Sequence, residues 1–265
     1  MAVPVLQQVD WPAVGQWLLD AWALVVQRWQ ISTMVEPWVV ALAAAVALGL
    51  VAAPIIWPVT RQAATIIHEA GHAVVARVVG RRVLSIKLHT DTSGVMFSAG
   101  KPHGVGVLAT MVAGYPAPTV LGAALAVSYA TGYAGAGLTV YQLVLLITAW
   151  LCSNIVGLLC VLAAFGVTGV LWLVGPAWLV SAAVAALAVF YVVAGLRCMV
   201  DVLRIHLRAK TAAGDHAVVQ DQVATTDASQ AAGAVWWLPL PAGFWLMSFF
   251  VIGLTCLAVV IEMLW

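Results

Sequence analysis

Residues 137–174 read GLTVYQLVLLITAWLCSNIVGLLCVLAAFGVTGVLWLV and contain no Asp, Glu, Lys or Arg. The uncharged run extends on both sides to cover residues 102–196. A helical membrane crossing needs about 20 consecutive apolar residues, so this run has room for about four crossings. The sequence therefore predicts an all-α polytopic membrane protein.

The composition of the whole chain agrees with this prediction. Of the 265 residues, 64% are hydrophobic and only 8% are charged, whereas soluble domains carry roughly 25% charged residues. A soluble protein of this size needs many more polar side chains to cover its surface, so a soluble enzyme is excluded. The net charge of +1 gives no reason to expect nucleic acid as a partner.

The remaining patterns predict a single membrane-embedded domain over 1–265. Residues 1–36 are expected to form a Trp-rich helix at the bilayer surface, and residues 201–234 a polar cytoplasmic segment. Residues 83–88 and 94–98 flank a turn and predict a small β-hairpin. About six transmembrane spans are expected, in addition to a separate helix over about 60–80, at 38–57, 105–129, 137–157, 158–174, 177–197 and 240–262.

The basic residues predict the orientation of these spans. Six of the eleven Lys and Arg residues lie within 61–101 and four lie within 197–210. Cytoplasmic loops are enriched in Lys and Arg, so both segments are expected in the cytoplasm. An even number of spans must then separate them, which agrees with four crossings between the two segments.

Residues 65–75 read TIIHEAGHAVV and lie in the helix predicted over about 60–80. His68 and His72 are one turn apart on the same helix face, so both imidazoles can bind one metal ion. Glu69 can accept a proton from a water molecule at that metal and later deliver it to a leaving amine. This pattern is typical of zinc metallopeptidases. Zinc lowers the pKa of its bound water toward about 7, so hydroxide is available at neutral pH.

A structural role and a haem site both account less well for the histidine pair. The histidines could simply hydrogen-bond to neighbouring helices, but this composition would produce the HExxH pattern by chance on the order of 0.0015 times. Ionisable residues in an apolar helix are also costly and indicate a function. A haem site fits poorly, because two axial histidines must approach the haem from opposite sides.

Residues 68–73, HEAGHA, in a hydrophobic helix resemble the signature of the site-2 protease family of intramembrane zinc metallopeptidases. The segments GRRV at 80–83, LHTDTSG at 88–94 and AGYPAP at 113–118 resemble a compact, mostly bacterial branch without the PDZ insertion of larger relatives. The resemblance is dense over 61–122. It implies a zinc-dependent protease in the cell membrane, with the bacterial inner membrane as its expected location and transmembrane proteins as substrates.

The resemblance also implies a third zinc ligand, because this family takes an Asp from a later transmembrane segment. The position that resembles it best is Asp215 in the sequence GDHAVV, although the Asn-Pro-Asp-Gly or Leu-Asp-Gly motif is not found. Asp201, near the end of an apolar stretch, is the competing candidate. Asp221 and Asp227 lie in a Gln/Thr/Ser-rich stretch that indicates a solvated loop.

The expected site therefore consists of a zinc ion, its protein ligands His68, His72 and Asp215, and the catalytic residue Glu69. The alternative function is a non-proteolytic membrane subunit that retains a structural metal site within a larger membrane complex. The Trp-rich N-terminal region and the lack of a substrate-recognition domain favour this alternative. A transporter is disfavoured, because it would need charged or broken-helix residues within 102–196.

Overall fold

The computed structural model describes residues 10–211 and 221–265, and over these residues the protein is built from α-helices and one two-stranded antiparallel sheet. The predicted fold class is confirmed. In chain order the elements are α1 (Trp11–Trp29), α2 (Pro37–Ala52), α3 (Trp57–Val78), β1 (Arg82–Leu88), β2 (Gly94–Ala99), α4 (Val105–Val112), α5 (Pro116–Ala130), α6 (Ala134–Leu151), α7 (Ile155–Val174), α8 (Ala177–Thr211), α9 (Asp227–Ala234) and α10 (Ala242–Leu264).

Within the described residues, four helices are long and apolar enough to cross a membrane, namely α6, α7, α8 and α10. Two bent pairs also pass this test, α2 with α3 at 101° and α4 with α5 at 62°, which raises the number to six if each pair is one span. The spans predicted at 38–57 and 105–129 therefore belong to broken helices. Prolines explain both breaks, because α3 and α5 each begin with Pro in their first turn, where a helix tolerates it.

Helix α5 packs tightly against α8, which fixes the position of the α4–α5 break. A Cβ atom added to Gly122 of α5 would lie 2.6 Å from the Ala188 carbonyl oxygen, so only glycine permits this approach. A buried hydrogen bond of 2.6 Å between the hydroxyl groups of Tyr141 and Tyr191 joins α6 to α8. The chain that leads into α5 is therefore held by a well-packed helix.

A helix occupies the Trp-rich segment at the N-terminal side of the described residues, and it has no buried residues. Its link to the bundle includes the Arg28 guanidinium, which donates hydrogen bonds to the carbonyl oxygens of Leu173 and Gly175 at the end of α7. The location of α1 at the bilayer surface stays a prediction.

The predicted hairpin is confirmed, and within the described residues only its β1 edge makes further backbone pairing. The Asn154 side chain accepts a hydrogen bond from the Leu88 amide (3.2 Å) and donates one to the Leu88 carbonyl (2.7 Å). The Ser153 amide also donates to the Ile86 carbonyl (2.9 Å), which completes the cover of the β1 edge. The outer edge of β2 has no strand partner among the described residues.

The described parts of the segment 201–234, residues 201–211 and 221–234, contain helices. Helix α8 continues to Thr211, and the short helix α9 packs against α4 and α10. The side chain of Thr226 caps α9, and the alanines at positions 228, 231 and 234 are buried. The expectation that Asp227 lies in a solvated loop is therefore wrong, because the alanine face of α9 draws this first-turn residue into the protein.

Candidate metal centre

Helix α3 presents the sequence HEAGH toward the interior of the protein. Glu69 and His72 are buried, with 3% and 5% of their surface exposed, and His68 is partly buried. The Nε2 atoms of the two histidines lie 3.2 Å apart. The one-turn spacing of the sequence thus brings both imidazoles to the same point in space, as one-face geometry requires.

Asp227 supplies a third potential ligand atom at this point. Its Oδ2 atom lies 3.3 Å from His68 Nε2 and 3.2 Å from His72 Nε2, so the three atoms form a nearly equilateral triangle. A tetrahedral zinc ion with bonds of about 2.0–2.1 Å separates its ligand atoms by about 3.3 Å. The observed spacing therefore fits the donor set of a zinc site.

The hydrogen bonds around the triangle also fit a metal ion. His72 Nδ1 lies 2.6 Å from the Thr110 carbonyl oxygen, and it must be the donor because a carbonyl can only accept. In the neutral ring, His72 Nε2 then keeps a lone pair that can bind a metal. Asp227 Oδ2 is buried and forms no hydrogen bond within the described part of the chain. Electron-rich atoms that face one another without a proton or cation between them repel. A bound cation would relieve this repulsion.

The charge state of Asp227 suits a metal ligand. Burial raises the pKa of this carboxyl, but the positive charge that the neighbouring His72 and His68 side chains carry in their protonated form outweighs burial and brings the pKa below its ordinary value. A metal cation in place of those protons would act in the same direction. The first turn of α9 contributes in the same direction, because a helix N-terminus favours a negative charge. The carboxylate is therefore ionised in the physiological range, as ligation requires.

Three glycines allow the surrounding segments to approach the cluster closely. A Cβ atom on Gly114, between α4 and α5, would lie 2.6 Å from Asp227 Oδ2. One on Gly94 would lie 2.7 Å from Glu69 Oε1, and one on Gly71 would lie 2.9 Å from a backbone oxygen of the α4–α5 connection. The segments 88–94 and 113–118, which the sequence singles out, are thus the ones that contact the cluster.

A cavity of about 180 Å³ opens onto His68 and Glu69. Its walls come from α3, from the hairpin turn, from α8 and from Tyr115, whose ring packs edge-on against the His68 ring at 4.6 Å between centroids. The hairpin turn is held to α3 by the Thr65 hydroxyl, which donates to the Thr92 carbonyl at 3.0 Å. The cluster is therefore buried on one side and accessible through a small cavity on the other.

The candidate acids of the sequence have different outcomes. Asp215 lies outside the described residues. Asp201 forms an ion pair with Arg204 at 3.3 Å on α8, away from the histidines, and Asp221 is exposed. Asp227, which the sequence placed in a solvated loop, is the acid that the structure brings beside the histidines, and its signal is the N-cap Thr226 followed by small apolar residues at helical spacing.

Comparison with known proteins gives one match. Residues 41–260 match the family described as Peptidase M50B-like, a range that includes α3, the hairpin and α9. No curated protein matches the chain, and no solved structure does.

Proposed function

The chain belongs to the Peptidase M50B-like family, and we propose that it hydrolyses peptide bonds of membrane proteins within or beside the lipid bilayer. The family consists of zinc-dependent membrane metallopeptidases. The observation that carries the proposal is the triangle of His68 Nε2, His72 Nε2 and Asp227 Oδ2 with the Glu69 carboxylate beside it. The bacterial inner membrane is the location we expect.

We assign the zinc ligands to His68, His72 and Asp227. The spacing of the three ligand atoms and the unpartnered Oδ2 atom support Asp227 as the third ligand. The sequence favours Asp215 instead. The zinc content of purified Asp227→Ala and Asp215→Ala distinguishes the two candidates. We expect the first substitution to remove most of the zinc and the second to leave it bound.

Glu69 is assigned to proton transfer. Its Oε1 atom lies 4.0 Å from His68 Nε2, which is farther than the separation of two ligand atoms on one tetrahedral zinc ion. This distance is still short enough for Glu69 to reach a water molecule at the cluster. Zinc bound by the three ligands would supply a Lewis acid and a water of lowered pKa. Glu69 Oε1 then accepts the proton of the attacking water and delivers it to the nitrogen of the departing chain.

The outer edge of β2, which has no strand partner among the described residues, is assigned to substrate binding. Strand β2 lies next to the catalytic carboxylate, because a Cβ atom on Gly94, its first residue, would lie 2.7 Å from Glu69 Oε1. A substrate segment that adds to β2 as a strand would extend the hairpin sheet beside the cluster. A transmembrane substrate must first unwind locally, because a helix keeps its backbone groups paired with one another.

Cleavage by purified protein tests the proposal. The wild type, Glu69→Gln and His72→Ala are reconstituted into vesicles with a panel of single-span proteins, and products are identified by mass spectrometry. We expect wild-type cleavage, loss of cleavage with retained zinc in Glu69→Gln, and loss of both in His72→Ala. Zinc in the wild type without cleavage of any substrate would instead favour the non-proteolytic subunit of a larger complex.

A further inference from the structure

Arg61 lies on the same face of α3 as the histidines and shares their cavity. It precedes His68 by seven residues, or about 10 Å along the helix axis. Its side chain lines the cavity of about 180 Å³ that opens onto His68 and Glu69. The cavity therefore carries a positive charge from a residue about two helical turns before His68.

Within the described residues, Arg61 forms no ion pair with a carboxylate. Its side chain is partly buried, and its Nε atom is buried without a hydrogen-bond partner. Arg197, by contrast, stacks on the Trp57 ring at 4.4 Å and donates a hydrogen bond to the Val51 carbonyl. A partly buried guanidinium that lines the cavity and has no carboxylate partner among the described residues is placed to pair with an anion there.

This inference rests on the proposed function. We propose that Arg61 binds a carboxylate of the substrate and thereby favours substrates that carry a carboxylate near the cleaved bond. The planar guanidinium matches a carboxylate with two parallel hydrogen bonds. An extended chain advances about 3.3 Å per residue, so the offset of about 10 Å places the carboxylate about three residues from the cleaved bond. Arg61 is a positioning residue, and Glu69 remains the proton carrier.

The carboxylate has two possible sources, an acidic side chain or the free C-terminus of a chain cut earlier. One arm of the experiment therefore uses a single-span substrate with Glu, Gln or Lys placed two to four residues from a mapped cleavage site. The second arm uses short substrates that end at this distance, either as a free acid or as an amide. Preference in one arm identifies the source.

We expect the wild type to prefer the carboxylate over its neutral match by about tenfold or more in kcat/KM, mainly through KM. Arg61→Gln should bring this ratio near one, Arg61→Lys should restore part of it, and Arg61→Glu should transfer the preference to the Lys substrate. Arg77→Gln is the matched control, because Arg77 lies on α3, is exposed and lines a different groove. It should keep the wild-type preference.

Two results would overturn the inference: an unchanged preference in Arg61→Gln, or equal losses on acidic and neutral substrates in Arg61→Gln with no rescue by Arg61→Lys. Binding of the same peptides to the Glu69→Gln protein, measured by fluorescence anisotropy, provides a readout that does not need cleavage. If no variant cleaves but Arg61→Gln still abolishes selective binding of the carboxylate peptide, the proposed function fails and the carboxylate site stands. If the wild type cleaves but shows no preference for the carboxylate substrates, the proposed function stands and the carboxylate site fails.

Discussion

Replacing Gly114 with alanine should disrupt zinc binding without touching any ligand residue. The new methyl group would lie 2.6 Å from Asp227 Oδ2 and would also overlap the His72 ring. Ordinary contacts begin near 3.4 Å, so Asp227 Oδ2 must move by roughly 0.8 Å and the His72 ring by more, unless the α4–α5 connection itself shifts. Metal ligands tolerate deviations of only about 0.2 Å. Overpacking of this kind costs about 1–3 kcal/mol, so we expect zinc affinity to fall on the order of 10- to 100-fold.

The assay is a competition titration of zinc against a fluorescent chelator, performed on purified protein in detergent. Gly49→Ala serves as the control, because Gly49 lies within α2 and an added Cβ there would meet no atom within 4 Å. This control should bind zinc like the wild type and should be stabilised slightly, by about 0.5–1 kcal/mol, since alanine favours the helix. Equal zinc affinity of Gly114→Ala and the wild type would refute the proposed position of the metal.

Three further predictions follow from the contacts described above. Asp227→Ala should weaken zinc binding at least about 100-fold, whereas Asp201→Ala should leave it unchanged, and the same chelator titration compares them. Asn154→Ala should leave two backbone groups of β1 unpaired and lower the free energy of unfolding by about 1–3 kcal/mol, measured by thermal denaturation in detergent; a smaller change would mean that water replaces the amide. Cysteines introduced at positions 81 and 208 should react with an impermeant label from the same side of the membrane, and labelling from opposite sides would contradict the predicted orientation.

The sequence predicts those features of the fold that depend on local patterns. The uncharged run over 102–196 predicts apolar helices, and the one-turn spacing of His68 and His72 predicts their convergence, since helix geometry is set by neighbouring residues. The partner of this pair could not be found in the same way. Asp227 reaches the histidines only because α9 packs against α4. Such a contact between distant segments produces no pattern in the sequence around either residue.

The breaks within helices escape prediction for a related reason. The stretch 105–129 has the length and composition of one span, so hydropathy alone predicts a continuous helix. The chain instead bends by 62° between α4 and α5, where Gly114 faces the ligands and Pro116 begins a new helix. Hydropathy measures only the affinity for lipid, and it does not report a bend that the packing of the site requires.

Because Asp227 comes from a separate short helix, the proposed zinc ion would link distant parts of the chain. His72 and Asp227 are 155 positions apart, and the unfolded chain does not hold such distant ligands together, so zinc would bind the native state alone. Free zinc at 100 times its dissociation constant would stabilise the native state by about 2.7 kcal/mol. Chelation should therefore lower the stability of the folded protein as well as the proposed activity, which would make zinc supply a control on the lifetime of the folded protein.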